Sequence, residues 1–137
     1  MKRGFIAGAF DLLHSGHLYT FRTAHKHCDI LIVGLQVDPS KGRPGKNKPV
    51  QSVFERYNQL QACKYVDGII PYETETDLHN LLVIGNFDVR FLGEEYKARE
   101  GNESDITGEH LVPITYIPRF HTYSSSELRR RITNGNK

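Results

Sequence analysis

Cysteine is scarce in this chain: only Cys28 and Cys63 occur among 137 residues. They lack C-x-x-C spacing and have no metal-ligand pattern around them, which excludes a disulfide framework and a zinc ribbon and leaves two reduced, buried thiols. Long apolar runs are missing as well. The N-terminal residues reach Gly4, Asp11 and His14 before any such run forms, so neither a secretory signal nor a membrane span is expected, and a cytoplasmic location fits. Excess charge of one sign is also absent. A net charge of +2 is too small for a protein that lives on a nucleic-acid backbone or an anionic membrane, so any basic function must be local. No internal repeat or low-complexity tract points to a solenoid or a disordered tail.

What the chain does have is regular alternation. With 38% apolar residues it can fill one core, expected over residues 1–133, with 134–137 a frayed end. Residues 4–9 and 30–35 are short apolar runs that predict buried strands. Leu18, Phe21, Ala24 and Cys28 recur between them at helical spacing and predict a helix over 15–27. Ser52 and Glu55 form a capping box ahead of a second helix whose apolar face is Val53, Tyr57, Leu60 and Cys63. Residues 66–70, 89–92 and 111–117 predict further strands, with a helix over 76–84. A second capping box, Ser124 with Glu127, opens a last helix whose Leu128 and Ile132 are placed to pack on the sheet. Such alternation implies a doubly wound α/β domain with a five-stranded parallel sheet and helices on both faces, a three-layer α/β/α arrangement. Its ligand site belongs outside the carboxyl ends of the strands.

The turn after the first strand reads Gly8-Ala9-Phe10-Asp11-Leu12-Leu13-His14-Ser15-Gly16-His17. Small residues let backbone approach a phosphate, and the start of a helix favours an anion. His14 and His17 are three apart on one helical face, with Gly16 leaving room between them. A single histidine here would be unremarkable as packing; the pair with glycine points to a phosphate grip. Residues 38–51 are rich in Pro, Gly, Lys and Asn. Their Lys41, Arg43, Lys46 and Lys48 form either a solvated charge run or an anion-collecting lid.

These residues resemble the signature of the HxGH nucleotidyltransferases, and within them the glycerol-3-phosphate cytidylyltransferase family. The resemblance extends over the lysine loop, Glu55-Arg56, the run from Lys64 to Pro71, Gly93-Glu94-Glu95, and Pro118-Arg119 before a serine cluster. It implies a Rossmann-like fold and transfer of CMP from CTP to a small phosphorylated alcohol, with pyrophosphate released, Mg²⁺ carried on the nucleotide phosphates, and a homodimer. It further implies catalytic roles for His14, His17, Lys46 and Arg119, and nucleotide contacts from Gly8, Ala9, Phe10, Asp11, Gly16, Lys48, Lys64, Gly93, Glu94, Ser124, Ser125 and Ser126. Ala9 and Lys64 stand where threonine and arginine are usual. His121 and Tyr123 interrupt the expected run after Arg119 and touch the base or acceptor, or simply pack. An adenylyltransferase acting on a sugar phosphate, and a non-catalytic nucleotide-binding module, are the competing readings. Loss of a histidine or of the basic loop would mark the latter, and neither is lost.

Overall fold

Because β-branched and small residues fill the apolar runs while helical spacing separates them, strands and helices alternate along the whole chain. The computed structural model describes residues 1–42, 45–99, 107–108, 110–119, 121 and 123–135. The order is β1 (Arg3–Gly8), α1 (Ser15–His25), β2 (Ile30–Gln36), α2 (Val53–Gln61), β3 (Gly68–Tyr72), α3 (Glu75–Ile84), β4 (Val89–Gly93), β5 (Ile114–Ile117) and α4 (Ser125–Asn134). All strand pairs are parallel, in the order β3-β2-β1-β4-β5. The chain therefore winds outward from β1 to one edge and then crosses to the other side. The carboxyl ends of β1 and β4 flank the point where the winding reverses, which is where such sheets bind ligands.

Strand alternation sends neighbouring side chains to opposite faces, and both faces are covered. Ile6, Leu31, Val33, Leu35 and Phe91 meet Phe21 and Ala24 of α1 and Leu60 of α2 on one face. Phe5, Tyr72, Leu78, Leu82 and Phe87 form the second layer under α3. Each such side chain contributes roughly 1.5–3 kcal/mol through burial. Ser52 and Glu55 form the predicted capping box. A further box, Thr74 with Asp77, starts α3 and was hidden because Asp takes the place of the usual Glu.

Several expectations change. The last strand begins at Ile114, with 111–113 in a turn, and Leu18 is 40% exposed. Cys28 and Cys63 are free but only partly buried. Ser124 caps α4, yet Glu127 turns to Arg130 and Arg131, so the second box is half made. No residue of α4 is buried, and Ile132 stands 75% exposed. This helix is held by polar bonds, described below, in place of an apolar stripe. It runs through Asn134 to a glycine cap at Gly135, one residue beyond the predicted domain end; Asn136 and Lys137 lie outside the described residues. No described helix is long and apolar enough to cross a membrane.

One buried cation fastens the functional edge of the sheet. Arg56, 2% exposed on α2, donates through Nη1 to the carbonyls of Ala9 (3.0 Å) and Gln36 (2.7 Å), through Nη2 to Val37 (2.5 Å), and through Nε to Gln51 (3.2 Å). Its guanidinium thus joins the ends of β1 and β2 to the start of α2. Arg56→Met fills similar space but strands those acceptors. At about 1–3 kcal/mol for each buried group left unsatisfied, urea unfolding should show a loss of about 3 kcal/mol or more at unchanged m. A loss under about 1 kcal/mol would mean the carbonyls find other donors.

Candidate active site

The turn leaving β1 is bent more tightly than most side chains tolerate. Phe10 (φ 50°) and Leu12 (φ 53°) both lie in the left-handed region, at a cost of about 1–3 kcal/mol each. Compensation comes from every side. The Phe10 ring packs on Phe21 at 5.0 Å and edge-on to His17 at 5.5 Å, and it comes so near Gly8 that an added Cβ there would meet it at 3.1 Å. Leu12 donates its N–H to Gln51 at 2.8 Å. Asp11, between the two strained residues, accepts from the backbone N–H of Val50 (2.8 Å) and Gln51 (2.9 Å) and from Arg129 of α4 (2.7 Å). Burial alone would raise its pKa, but those donors outweigh it and hold the carboxyl below its usual range. The carboxylate predicted to touch nucleotide is therefore engaged as a bracket between the loop and the last helix.

Past this turn, α1 begins with an unusual cap. His14 Nδ1 accepts from the Gly16 N–H (3.0 Å), and His17 Nδ1 accepts from the His14 N–H (3.2 Å), a capping box built from two imidazoles. Both Nδ1 atoms must carry lone pairs, so both neutral rings keep their proton on Nε2. The rings lie 3.9 Å apart, tilted by 30°. Burial, together with His121 and Arg119, pushes the His14 pKa down. Burial and the neighbouring His14 push His17 down to about 3. Both present neutral N–H donors at ordinary pH.

Two adjoining cavities open here. The first, about 250 Å³, is lined by His14, Gly16, His17, Gly93, Arg119, Ser124 and Ser125. Residues at the starts of α1 and α4 both line it, so two positive helix ends act on one space. Ser125 donates to the Asp11 carbonyl at 2.7 Å, which ties the two helix starts together. The second cavity, about 510 Å³, is lined by Gly8, Ala9, Phe10, Asp11, Lys46 and Arg129, and shares His17, Thr20, Gly93, Glu95 and Ser125 with the first.

The other predicted residues are placed differently. Glu94 accepts from the Arg119 N–H at 3.0 Å and lines neither cavity. Lys48 and Ser126 are exposed beside the site, and Lys64 lies ahead of β3 at the amino end of the sheet, its ammonium 5.2 Å from the Tyr65 ring. Arg43 of the basic loop lies outside the described residues, as do Pro44, Phe120 and Thr122. Sequence reasoning passed over Thr20, Glu95 and Arg129 as site residues; Arg129 falls one turn after Ser125, a spacing that could have flagged it. It left His121 and Tyr123 open, and both line the first cavity.

A family model described as cytidylyltransferase-like matches residues 5–131. The chain is 33% identical over 136 residues to the bifunctional protein HldE of Hyphomonas neptunium, covering 98% of this chain and 28% of that protein. It is 32% identical over 146 residues to a probable ethanolamine-phosphate cytidylyltransferase of Encephalitozoon cuniculi, covering 94% of this chain and 45% of that one. It thus spans less than half the length of these relatives. Among solved structures, a lipopolysaccharide core biosynthesis protein from Thermoplasma volcanium superposes with a TM-score of 0.68 at 26% identity, over 88% of this chain and 99% of that one. Pantothenate synthetase from Thermus thermophilus, at 15% identity and a TM-score of 0.60 over 86% of this chain and 56% of that one, shares the fold.

The depressed His17 pKa has a consequence for stability. Between about pH 3 and 6.5 the unfolded chain takes up a proton that the folded chain refuses, so stability is lost as pH falls through that window. Above pH 6.5 neither state binds it and the penalty vanishes. Wild type should therefore lose ground to His17→Gln on acidification, by at most about 1.4 kcal/mol per pH unit, in urea titrations from pH 7 to 5. Parallel curves for the two proteins would place His17 in a solvated, freely titrating setting.

Proposed function

Since the chain belongs to the cytidylyltransferase-like family, we propose that it transfers CMP from CTP to a small phosphorylated alcohol, with glycerol 3-phosphate giving CDP-glycerol and pyrophosphate. The observation that carries this reading is the first cavity, where two helix starts, two imidazole N–H donors and Arg119 surround one space. Nucleotidyl transfer needs little else from a protein: an attacking oxygen in line with a leaving group, and donors where negative charge grows.

In this scheme an oxygen of the acceptor phosphate attacks the α-phosphorus while the bond to the β-phosphate breaks and pyrophosphate departs. His14 and His17 donate to the crowded oxygens, and Arg119 faces the departing group. The second cavity receives the acceptor, with Lys46 at its rim. A Mg²⁺ in this scheme would arrive on the nucleotide phosphates and keep most of its waters. Glu95, which lines both cavities, is the side chain that would help to hold it. When bound, that cation would withdraw charge from the phosphates.

Pyrophosphate release across CTP, ATP, GTP and UTP, each with phosphorylated polyols, sugars and amino alcohols, tests the reading directly. CTP with glycerol 3-phosphate should give the highest kcat/KM; an ATP optimum with a sugar phosphate would replace it with adenylyl transfer. His14→Ala and His17→Ala should each lower kcat by about 10²–10³-fold with the fold retained. More than about a third of wild-type kcat in either variant would remove the histidines from the mechanism. We further propose a homodimer in which the segment from Lys64 to Pro71 meets its partner, so that Lys64 acts away from its own subunit's cavities. Sedimentation should show twice the mass of one 15.7 kDa chain, and a lone monomer at micromolar concentration would exclude it.

A further inference from the structure

His121 sits where it can do more than pack. Glycine at position 16 leaves a gap shared by two rings: an added Cβ would come within 2.7 Å of His14 Cε1 and 2.8 Å of His121 Cε1. The His121 ring thus reaches the start of α1 from the far end of the chain and lines the same cavity as His14 and His17. It is held on two sides, stacked on Tyr123 at 5.2 Å and 17°, and edge-on to Tyr19 at 5.5 Å and 77°. Its Nδ1 accepts from the Tyr123 N–H at 3.2 Å, and Arg119 Nη2 closes the same strap by donating to the Tyr123 carbonyl at 2.7 Å.

The tautomer follows from that bond. With Nδ1 an acceptor, the neutral ring carries its proton on Nε2, as His14 and His17 do for the same reason. Three imidazoles are gathered at one cavity, each tied to backbone through Nδ1 and each left with an Nε2–H. Among the described residues no carboxylate accepts from any of them. Donors grouped without an acceptor in a partly desolvated space call for an anion with several oxygens.

We propose that His121 is a third imidazole donor to the triphosphate, acting with Arg119 on the part that leaves as pyrophosphate. This rests on the nucleotidyl-transfer reading above. It adds to the paired histidines a residue from the strap before α4, so that the leaving-group end of the nucleotide is gripped from both ends of the chain.

Calorimetric binding of CTP and of inorganic pyrophosphate, each with Mg²⁺, to the wild type, His121→Asn and His121→Gln tests it. Asn can take over the Tyr123 N–H through its carbonyl but falls short of the Nε2 position; Gln reaches that position with an amide donor. Binding of both ligands should weaken about tenfold in His121→Asn, the loss of one charge-assisted bond, and recover to within about threefold in His121→Gln, while the KM for the acceptor holds within about twofold. Equal binding by wild type and His121→Asn, or a change confined to the acceptor KM, overturns the proposal while leaving the function standing. Should wild type bind neither ligand, nucleotidyl transfer itself fails. Histidine-selective ¹⁵N spectra of the wild type give a readout independent of any variant: pyrophosphate should shift the His121 Nε2 resonance, and an unmoved signal overturns the assignment.

Discussion

Two buried charges hold the functional edge of this molecule in shape. Arg56 donates to carbonyls at the ends of β1 and β2, while Asp11 accepts from amides ahead of α2 and from Arg129 of α4. The two attract one another as well as their backbone partners, since Asp11 supports the charged state of Arg56. Buried charges are tolerated when fully engaged, and these act on backbone that would otherwise relax. Left-handed Phe10 and Leu12 persist because the residue between them is fixed from three directions. The strain is local, and the structure that maintains it comes from four elements.

The histidines follow the same economy. Capping a helix and presenting a donor are usually tasks for different residues, but His14 and His17 do both, one on each ring nitrogen. The bonds that stabilise the start of α1 also decide which nitrogen bears the proton. Ring orientation and tautomer are settled before any ligand arrives, so little reorganisation is left for the moment of binding. Their low proton affinity has the same origin, burial beside like-charging neighbours.

Much of this was legible in the sequence, and the gaps have physical causes. Strand alternation, the Ser52 cap and the turn from Gly8 to His17 are local signals, set by neighbours along the chain. Arg56 was not legible as a buried residue, because arginine is ordinarily exposed and its carbonyl partners lie in segments far apart in sequence. Leu128 and Ile132 carry the spacing of an apolar stripe, but α4 has no buried residue and is anchored by Ser125 and Arg129. His121 could not be placed from its neighbours, since what brings it to Gly16 is the return of the chain after β5. The basic loop stands out by its charge, yet of its lysines Lys46 lines the second cavity while Lys41 and Lys48 line neither of the two cavities described.

The sheet order also sets a timetable for synthesis. β1 meets β4 through a short register, Gly4 with Val89 and Phe5 with Arg90, and the site straddles that seam. Ser125 and Arg129 reach Asp11 across 114 and 118 residues of chain. A ribosome-bound chain that has made β1, β2 and β3 already owns both histidines of α1, but not the helix that fastens their turn. Such long-range contacts form late, because the entropy of closing a long loop must be overcome first. In a nascent chain the two cavities are therefore incomplete until α4 has emerged and docked. Ligand bound afterwards clasps early and late segments together and stabilises the finished fold over every partial one.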